Sequence, residues 1–245
     1  MKNRKPYLKA VLITILMLLF PIISGIIVTL ANFQGLSVIL IQTVAFVIAF
    51  LIGTWLANKQ ANGLRGVGLR GLTVENHRTY LWFFPLLIIE IMPYFLGIEE
   101  DLSIIHAVIY LLFALTVGFA EELYFRGLVI NVLKDKRTAA IIIVSSLLFS
   151  VGHFFNLLSG KNLISTVMQV IFALLFGIVT ALITLATQSF LVPVVWHTIH
   201  NFGAMITVSN DGKNSAIFGG IQGLILIVYA LYLWHKKPDQ LKIIL

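Results

Sequence analysis

The stretch Thr116-Val-Gly-Phe-Ala-Glu-Glu-Leu-Tyr-Phe-Arg126 places two adjacent carboxylates and an arginine inside an otherwise apolar segment of helix length. An ionisable side chain near the middle of a bilayer costs several kcal/mol, roughly 2.5–3.5 even on the lenient insertion scales, so it persists where it faces an interior cavity and has a partner. The spacing supplies that partner for one of the two acids. Glu122 and Arg126 are four residues apart, so a helix stacks them on one face with the acid first. Glu121 lies about 100° around the same helix and has no neighbour of opposite charge there, which makes it the carboxylate available for chemistry.

The surrounding chain reads as membrane throughout. Of its 245 residues 59% are hydrophobic and 11% charged, against roughly a quarter charged in soluble proteins. Apolar runs of bilayer-spanning length, about 17–25 residues, fall near 8–31, 36–57, 80–97, 102–133, 138–158, 163–187, 190–208 and 215–235. They predict an all-α fold, a polytopic helical bundle of about eight transmembrane helices, forming one membrane domain over 1–245 with an intramembrane active-site cavity. Lys2, Arg4 and Lys5 before the first run resemble the start of a signal peptide. The run from Ala10 to Ala31 is longer than a signal core and shows no A-x-A cleavage site, so it is read as an uncleaved span. No repeat of fixed period and no low-complexity tract divides the chain.

A net charge of +7 suggests nucleic acid only where basic residues cluster on a soluble face. Here they lie in short segments between apolar runs, where they set topology. Lys2, Arg4, Lys5 and Lys9, then Lys59, Arg65, Arg70 and Arg78, then Lys134, Lys136 and Arg137, and finally Lys236 and Lys237 all fall on one predicted side. The opposite loops are Asn32 to Gly35, the acidic Gly97 to Asp101, Ser159 to Asn162 and Asn210 to Asn214. The expectation is a multi-pass protein of the cell membrane with both termini cytoplasmic and no nucleic-acid partner. The absence of cysteine removes disulfides, thiolate metal sites and a cysteine nucleophile, leaving carboxylates, histidines, amides and hydroxyls for any catalysis.

The loop from Asn58 to Arg78 interleaves Gly63, Gly66, Gly68 and Gly71 with Arg65 and Arg70. It lacks the G-x-x-x-x-G-K-[ST] spacing of a nucleotide loop and is read as an interfacial segment resting on anionic headgroups. In the third run Pro85 and Pro93 predict kinks. Glu90 in that run has no second ionisable residue at helical spacing, and an interhelical hydrogen bond is its expected role, as for Gln42 and Gln169. Gly219 and Gly223 form a small-xxx-small pair that predicts a close helix approach.

Two later runs carry further polar residues. The fifth has Phe149 and His153, the seventh His197 and Asn201 one turn apart on one face. At a 1.5 Å rise, Glu121 lies about 20 Å along its helix from the Lys134 loop, His153 about 23 Å from Thr138, and His197 about 10–16 Å from Gln188. These depths let the three spans meet at one level. A lone membrane histidine is usually a helix contact and a lone Glu–Arg pair a structural clamp. Two carboxylates, an arginine, two histidines and an asparagine at membrane depth on three spans predict a shared site.

This set resembles the CAAX-protease and bacteriocin-processing (CPBP, or Abi) intramembrane proteases, related to the Ras-converting CAAX endoprotease. The family motifs E-E-x-x-x-R, F-x-x-x-H and H-x-x-x-N stand here as Glu121-Glu122-x-x-x-Arg126, Phe149-x-x-x-His153 and His197-x-x-x-Asn201, in order, within a core at 102–205. The resemblance implies an endopeptidase acting on a membrane-associated peptide or protein; bacterial members are linked to bacteriocin processing, immunity, peptide signalling and secretion. Glu121, His153, His197 and Asn201 are then the expected catalytic residues: Glu121 a general base on water helped by His153, His197 and Asn201 donors to the oxyanion. Glu122, Arg126 and Phe149 support them.

No cofactor is expected. Zinc is the alternative, with Glu121, His153 and His197 as plausible ligands, although the helical H-E-x-x-H signature is absent. His200 is turned away from Asn201, and His77, His106 and His235 lie near span ends. The rival reading is a non-catalytic immunity or regulatory protein that binds a peptide or partner through the same cavity. Proton-coupled transport is a third reading, against which the lack of a recognisable inverted repeat counts.

Overall fold

The computed structural model describes residues 5–72, 83–157, 162–208 and 213–236. His77, Arg78 and most residues of the two later outer loops, together with Lys2, Arg4 and Lys237, lie outside them. The described residues form α1 (Lys5–Leu30), α2 (Leu36–Asn58), the single turn α3 (Gly63–Gly66), α4 (Phe84–Ile91) continued by a 3-10 turn Met92–Leu96, α5 (Ile104–Glu122), α6 (Ile130–Leu133), α7 (Thr138–Val151) with a 3-10 turn Gly152–Leu157, α8 (Leu163–Thr187), α9 (Leu191–Ile206) and α10 (Lys213–Lys236). A π-helical stretch, Leu123–Val129, joins α5 to α6. The fold is an all-α polytopic bundle.

Its exterior is apolar, unlike that of a soluble protein, and polar residues are set among the apolar ones of its core. The outer faces of the long helices expose Leu12, Ile15, Leu51, Leu112, Ile143 and Val228, whereas Glu90, Glu122, Arg126, Ser145, Thr180, Thr184 and His197 are buried. That distribution suits an apolar solvent, which tolerates polar groups only where protein satisfies them. Many inner hydroxyls bond back to their own helices: Thr14 to the Ala10 carbonyl at 3.0 Å, Ser146 to that of Ile142 at 2.7 Å and Thr184 to that of Thr180 at 2.8 Å.

The expected count of eight spans needs adjustment. Among the described residues six helices are long and apolar enough to cross a membrane: Lys5–Leu30, Leu36–Asn58, Ile104–Leu133, Thr138–Phe155, Leu163–Thr187 and Ile217–Lys236. The runs at 80–97 and 190–208 contain the shorter helices Phe84–Leu96 and Leu191–Ile206, the latter of 16 residues. At about 1.5 Å per residue a helix of that length falls short of a hydrocarbon core of about 30 Å. The two pack on each other and are tied at one end, where Glu99 N–H donates to the Ile206 carbonyl and Val208 N–H to that of Gly97, each at 3.0 Å.

The prolines act differently from expectation. Pro85 sits in the first turn of α4, where its missing N–H removes no helical bond. Pro93 lies where α4 tightens into the 3-10 turn, and the Ile89 carbonyl that a residue-93 N–H would have bonded accepts from Gln222 Nε2 of α10 at 2.9 Å. A neighbouring helix thus satisfies the acceptor that proline leaves open. The Gly219/Gly223 expectation is corrected: a Cβ at Gly219 would meet nothing within 4 Å, and one at Gly223 only a Leu175 methyl at 3.7 Å. The tight approaches are elsewhere. A Cβ at Gly118 would lie 2.8 Å from Thr198 Oγ1 and 3.2 Å from the Val194 carbonyl, and one at Gly177 would lie 3.1 Å from Ser146 Cα. These two glycines draw α5 onto α9 and α8 onto α7.

Candidate active site

Every residue of the π stretch Leu123–Val129 is buried, so the helix is enclosed on all sides just after the acids. A π stretch is rare and occurs mostly at functional sites, where it resets the angular position of the side chains around it. Glu122 and Arg126 flank its first turn, with Arg126 Nε 3.1 Å from Glu122 Oε2 and both side chains fully buried. The arginine is fixed further by Thr180 of α8, whose Oγ1 accepts from Nε at 2.9 Å and also from Nη2. The Phe149 ring lies under the guanidinium at 4.3 Å, a cation–π contact. The expected support triad of Glu122, Arg126 and Phe149 is therefore one contact cluster.

His197 of α9 stands between the two acids. Its Nδ1 is 2.9 Å from Glu122 Oε1, and its Nε2 is 3.7 Å from Glu121 Oε2. The close approach at Gly118, one turn before the acids, is what brings α9 near enough for that bond. The Glu121 side chain is 17% exposed and that of His197 6%, against 0% for Glu122. Glu122 thus orients the imidazole, and the Nε2 edge faces the more open Glu121. The two adjacent glutamates differ in exposure and in partners, and His197 makes an acid contact that spacing along one helix does not reveal.

The remaining expected residues surround this centre. His153 is half-buried, past the end of α7 in the 3-10 turn, with its ring 5.4 Å from that of Phe149. Phe149 also packs edge-on to His197 at 5.9 Å, so one aromatic ring touches Arg126 and both histidines. Asn201 is half-buried one turn beyond His197 on α9.

A second acid–histidine pair lies beside the first and was only half legible. Glu90 of α4 accepts from Trp196 Nε1 at 2.6 Å and lies 3.1 Å from His200 Nδ1. The interhelical hydrogen bond expected of Glu90 is present, and His200 does face away from Asn201. Their pairing joins residues 110 apart and left no local signal. Phe176 links the two centres, stacked on Trp196 at 4.1 Å and edge-on to His197 at 5.1 Å. Half-buried His106 bonds Ser103 at the start of α5 and exposed His235 contacts the Leu231 carbonyl near the end of α10, in keeping with positions at span ends.

A zinc site would require Glu121, His153 and His197 to converge on one ion. Among the described residues no three His, Asp or Glu side chains group closely enough to ligate a metal.

The fold and site define a polytopic membrane protein with a buried glutamate–histidine centre clamped by an arginine. Residues 103–203, from the start of α5 through most of α9, match the family model described as "Type II CAAX prenyl endopeptidase Rce1-like". Over these residues the chain is similar to the CAAX-protease family. No curated protein and no solved structure matches it.

Proposed function

We propose that the chain is an intramembrane endopeptidase that hydrolyses a peptide bond of a membrane-associated peptide or protein with a glutamate-activated water. The observation that carries this reading is the placement of His197 between two glutamates of different exposure. The Nε2 to Glu121 separation of 3.7 Å is one that a single water or substrate oxygen bridges with hydrogen bonds of about 2.8 Å. Glu121 takes the water proton, the hydroxide oxygen adds to the scissile carbonyl carbon, and the carbonyl electrons move onto oxygen. Asn201 and His197 donate to that oxyanion. Glu121 then returns its proton to the leaving nitrogen as the C–N bond breaks, giving an acid and an amine. His153 helps position the water, and the clamp of Glu122, Arg126 and Thr180 holds His197 in place.

The test compares membrane-derived peptides from cells carrying the wild type, Glu121→Ala and Asn201→Ala, followed by assay of the purified chain on the peptide so found. A peptide should change length with wild type alone, and Asn201→Ala should lower turnover about 10²–10³-fold with substrate binding nearly intact. Cleavage should persist in a strong chelator. Peptide profiles identical in all three strains would favour the non-catalytic binding protein, and reversible loss in chelator would replace the water mechanism with a metal one.

A further inference from the structure

A cavity of about 1010 Å³ opens at the end of the bundle that holds the α2–α3 loop and the α6–α7 turn; its walls include Arg65, Arg70, Arg126, Lys134 and Lys136 and, among the described residues, no carboxylate. None of Glu121, His153, His197 or Asn201 lines it. It is built from four parts of the chain. The α2–α3 loop is docked rather than loose: Phe190 N–H donates to the Gly68 carbonyl at 3.1 Å, Ser189 Oγ donates to the Arg70 carbonyl at 2.6 Å, and Arg70 Nε donates to the Gln188 carbonyl at 2.6 Å. Gly68 adopts φ +103°, a conformation that favours glycine, and its docking sets the loop that carries Arg65 and Arg70 over the mouth.

Among the described residues the positive charge of this cavity is not balanced. Arg126 has Glu122, but Arg65, Arg70, Lys134 and Lys136 form no ion pair with a carboxylate among the described residues. Asp135, next in sequence to two of them, is exposed and not part of the wall. Four like charges around a concavity repel one another and focus a positive potential into it. At the inner wall Arg126 is 1% exposed, and its Nη1 is buried without a hydrogen-bond partner, so a guanidinium with five donors retains unused capacity there. An arginine and lysine cluster of this kind matches the oxygens of a phosphate.

We propose that this cavity is a binding site for a phosphate group, carried by the headgroup of an anionic lipid or present as a free anion. The proposal does not depend on proteolysis. The purified full chain in a zwitterionic detergent would be titrated with short-chain phosphatidylglycerol, with short-chain phosphatidylcholine and with inorganic phosphate, and its unfolding temperature followed. Wild type is compared with Arg65→Gln/Lys134→Gln and with Lys9→Gln/Arg137→Gln, which removes the same charge from exposed positions outside the wall.

Phosphatidylglycerol should raise the unfolding temperature of wild type and of the Lys9/Arg137 variant by about 5 °C near saturation, and that of the Arg65/Lys134 variant by much less. Phosphate giving the same pattern would assign the site to the free anion; phosphate without effect would assign it to lipid. Equal loss in both double variants would reduce the effect to general surface charge and overturn the proposal. So would no shift with either anion, or an equal shift with phosphatidylcholine.

Discussion

At the residue scale the two neighbouring glutamates divide support from chemistry, and their different surroundings make that division measurable. Glu122 is fully buried between Arg126 and His197, so removing Arg126 leaves a buried charge with too few partners, at a cost of about 3–5 kcal/mol. Arg126→Ala should therefore lower the unfolding temperature in detergent by roughly 10 °C, while Glu121→Gln, at a partly exposed position 3.7 Å from His197, should unfold near wild type and lose turnover. Equal destabilisation by the two would mean that their roles are exchanged. The Glu122–Arg126 pair was legible because helical periodicity puts residues four apart on one face. The Glu122–His197 and Glu90–His200 contacts join residues 75 and 110 apart, distances over which no periodicity carries information. The first was anticipated only as part of a motif set and the second not at all.

At the element scale the site depends on how closely α9 lies on α5, and Gly118 sets that distance. A methyl at Gly118 would meet Thr198 Oγ1 at 2.8 Å and the Val194 carbonyl at 3.2 Å, so α9 must shift and take His197 with it. A misplacement of about 1 Å at a catalytic group can cost 10²-fold. Gly118→Ala should therefore reduce turnover about 10–100-fold, and Thr198→Ala in the same chain should restore part of it by removing the nearer clash. Gly219→Ala, which meets open space, should match wild type in the same assay. A silent Gly118→Ala would show that the α5–α9 spacing does not control the reaction. The sequence offered Gly219 and Gly223 as the close approach because small residues four apart are the general signal. Which glycine faces a neighbour is decided by helix rotation, to which composition is blind. The π stretch that follows the two acids was invisible for a related reason, since the same residues suit an α-helix.

At the scale of the whole molecule, the basic and acidic loops sort to opposite ends of the bundle. Loop Lys59 to Arg70, the turn at Lys134 to Arg137 and the α8–α9 turn meet at one end, joined by the Arg70–Gln188 and Asn131–Gln60 contacts. The strand-like contact of Gly97–Glu99 with Ile206–Val208 marks the other, next to Glu99, Glu100 and Asp101. Apolar run length gives the number of spans only approximately, because it registers hydrophobicity and not where a helix ends, yet the charge pattern sorted the described loops into the groups that the fold brings together. Lysine and arginine in short loops hold their end in the cytoplasm. A topology reporter fused at Lys2 should accordingly read cytoplasm, and one inserted at Glu99 the opposite side. The outcome also bears on the basic cavity, since it opens at the Lys134 end, and the cytoplasmic leaflet carries the negative surface potential that attracts such clusters. A cytoplasmic signal at Glu99 would invert the bundle, set the cavity at the outer face and remove the electrostatic reason for this arrangement of charges.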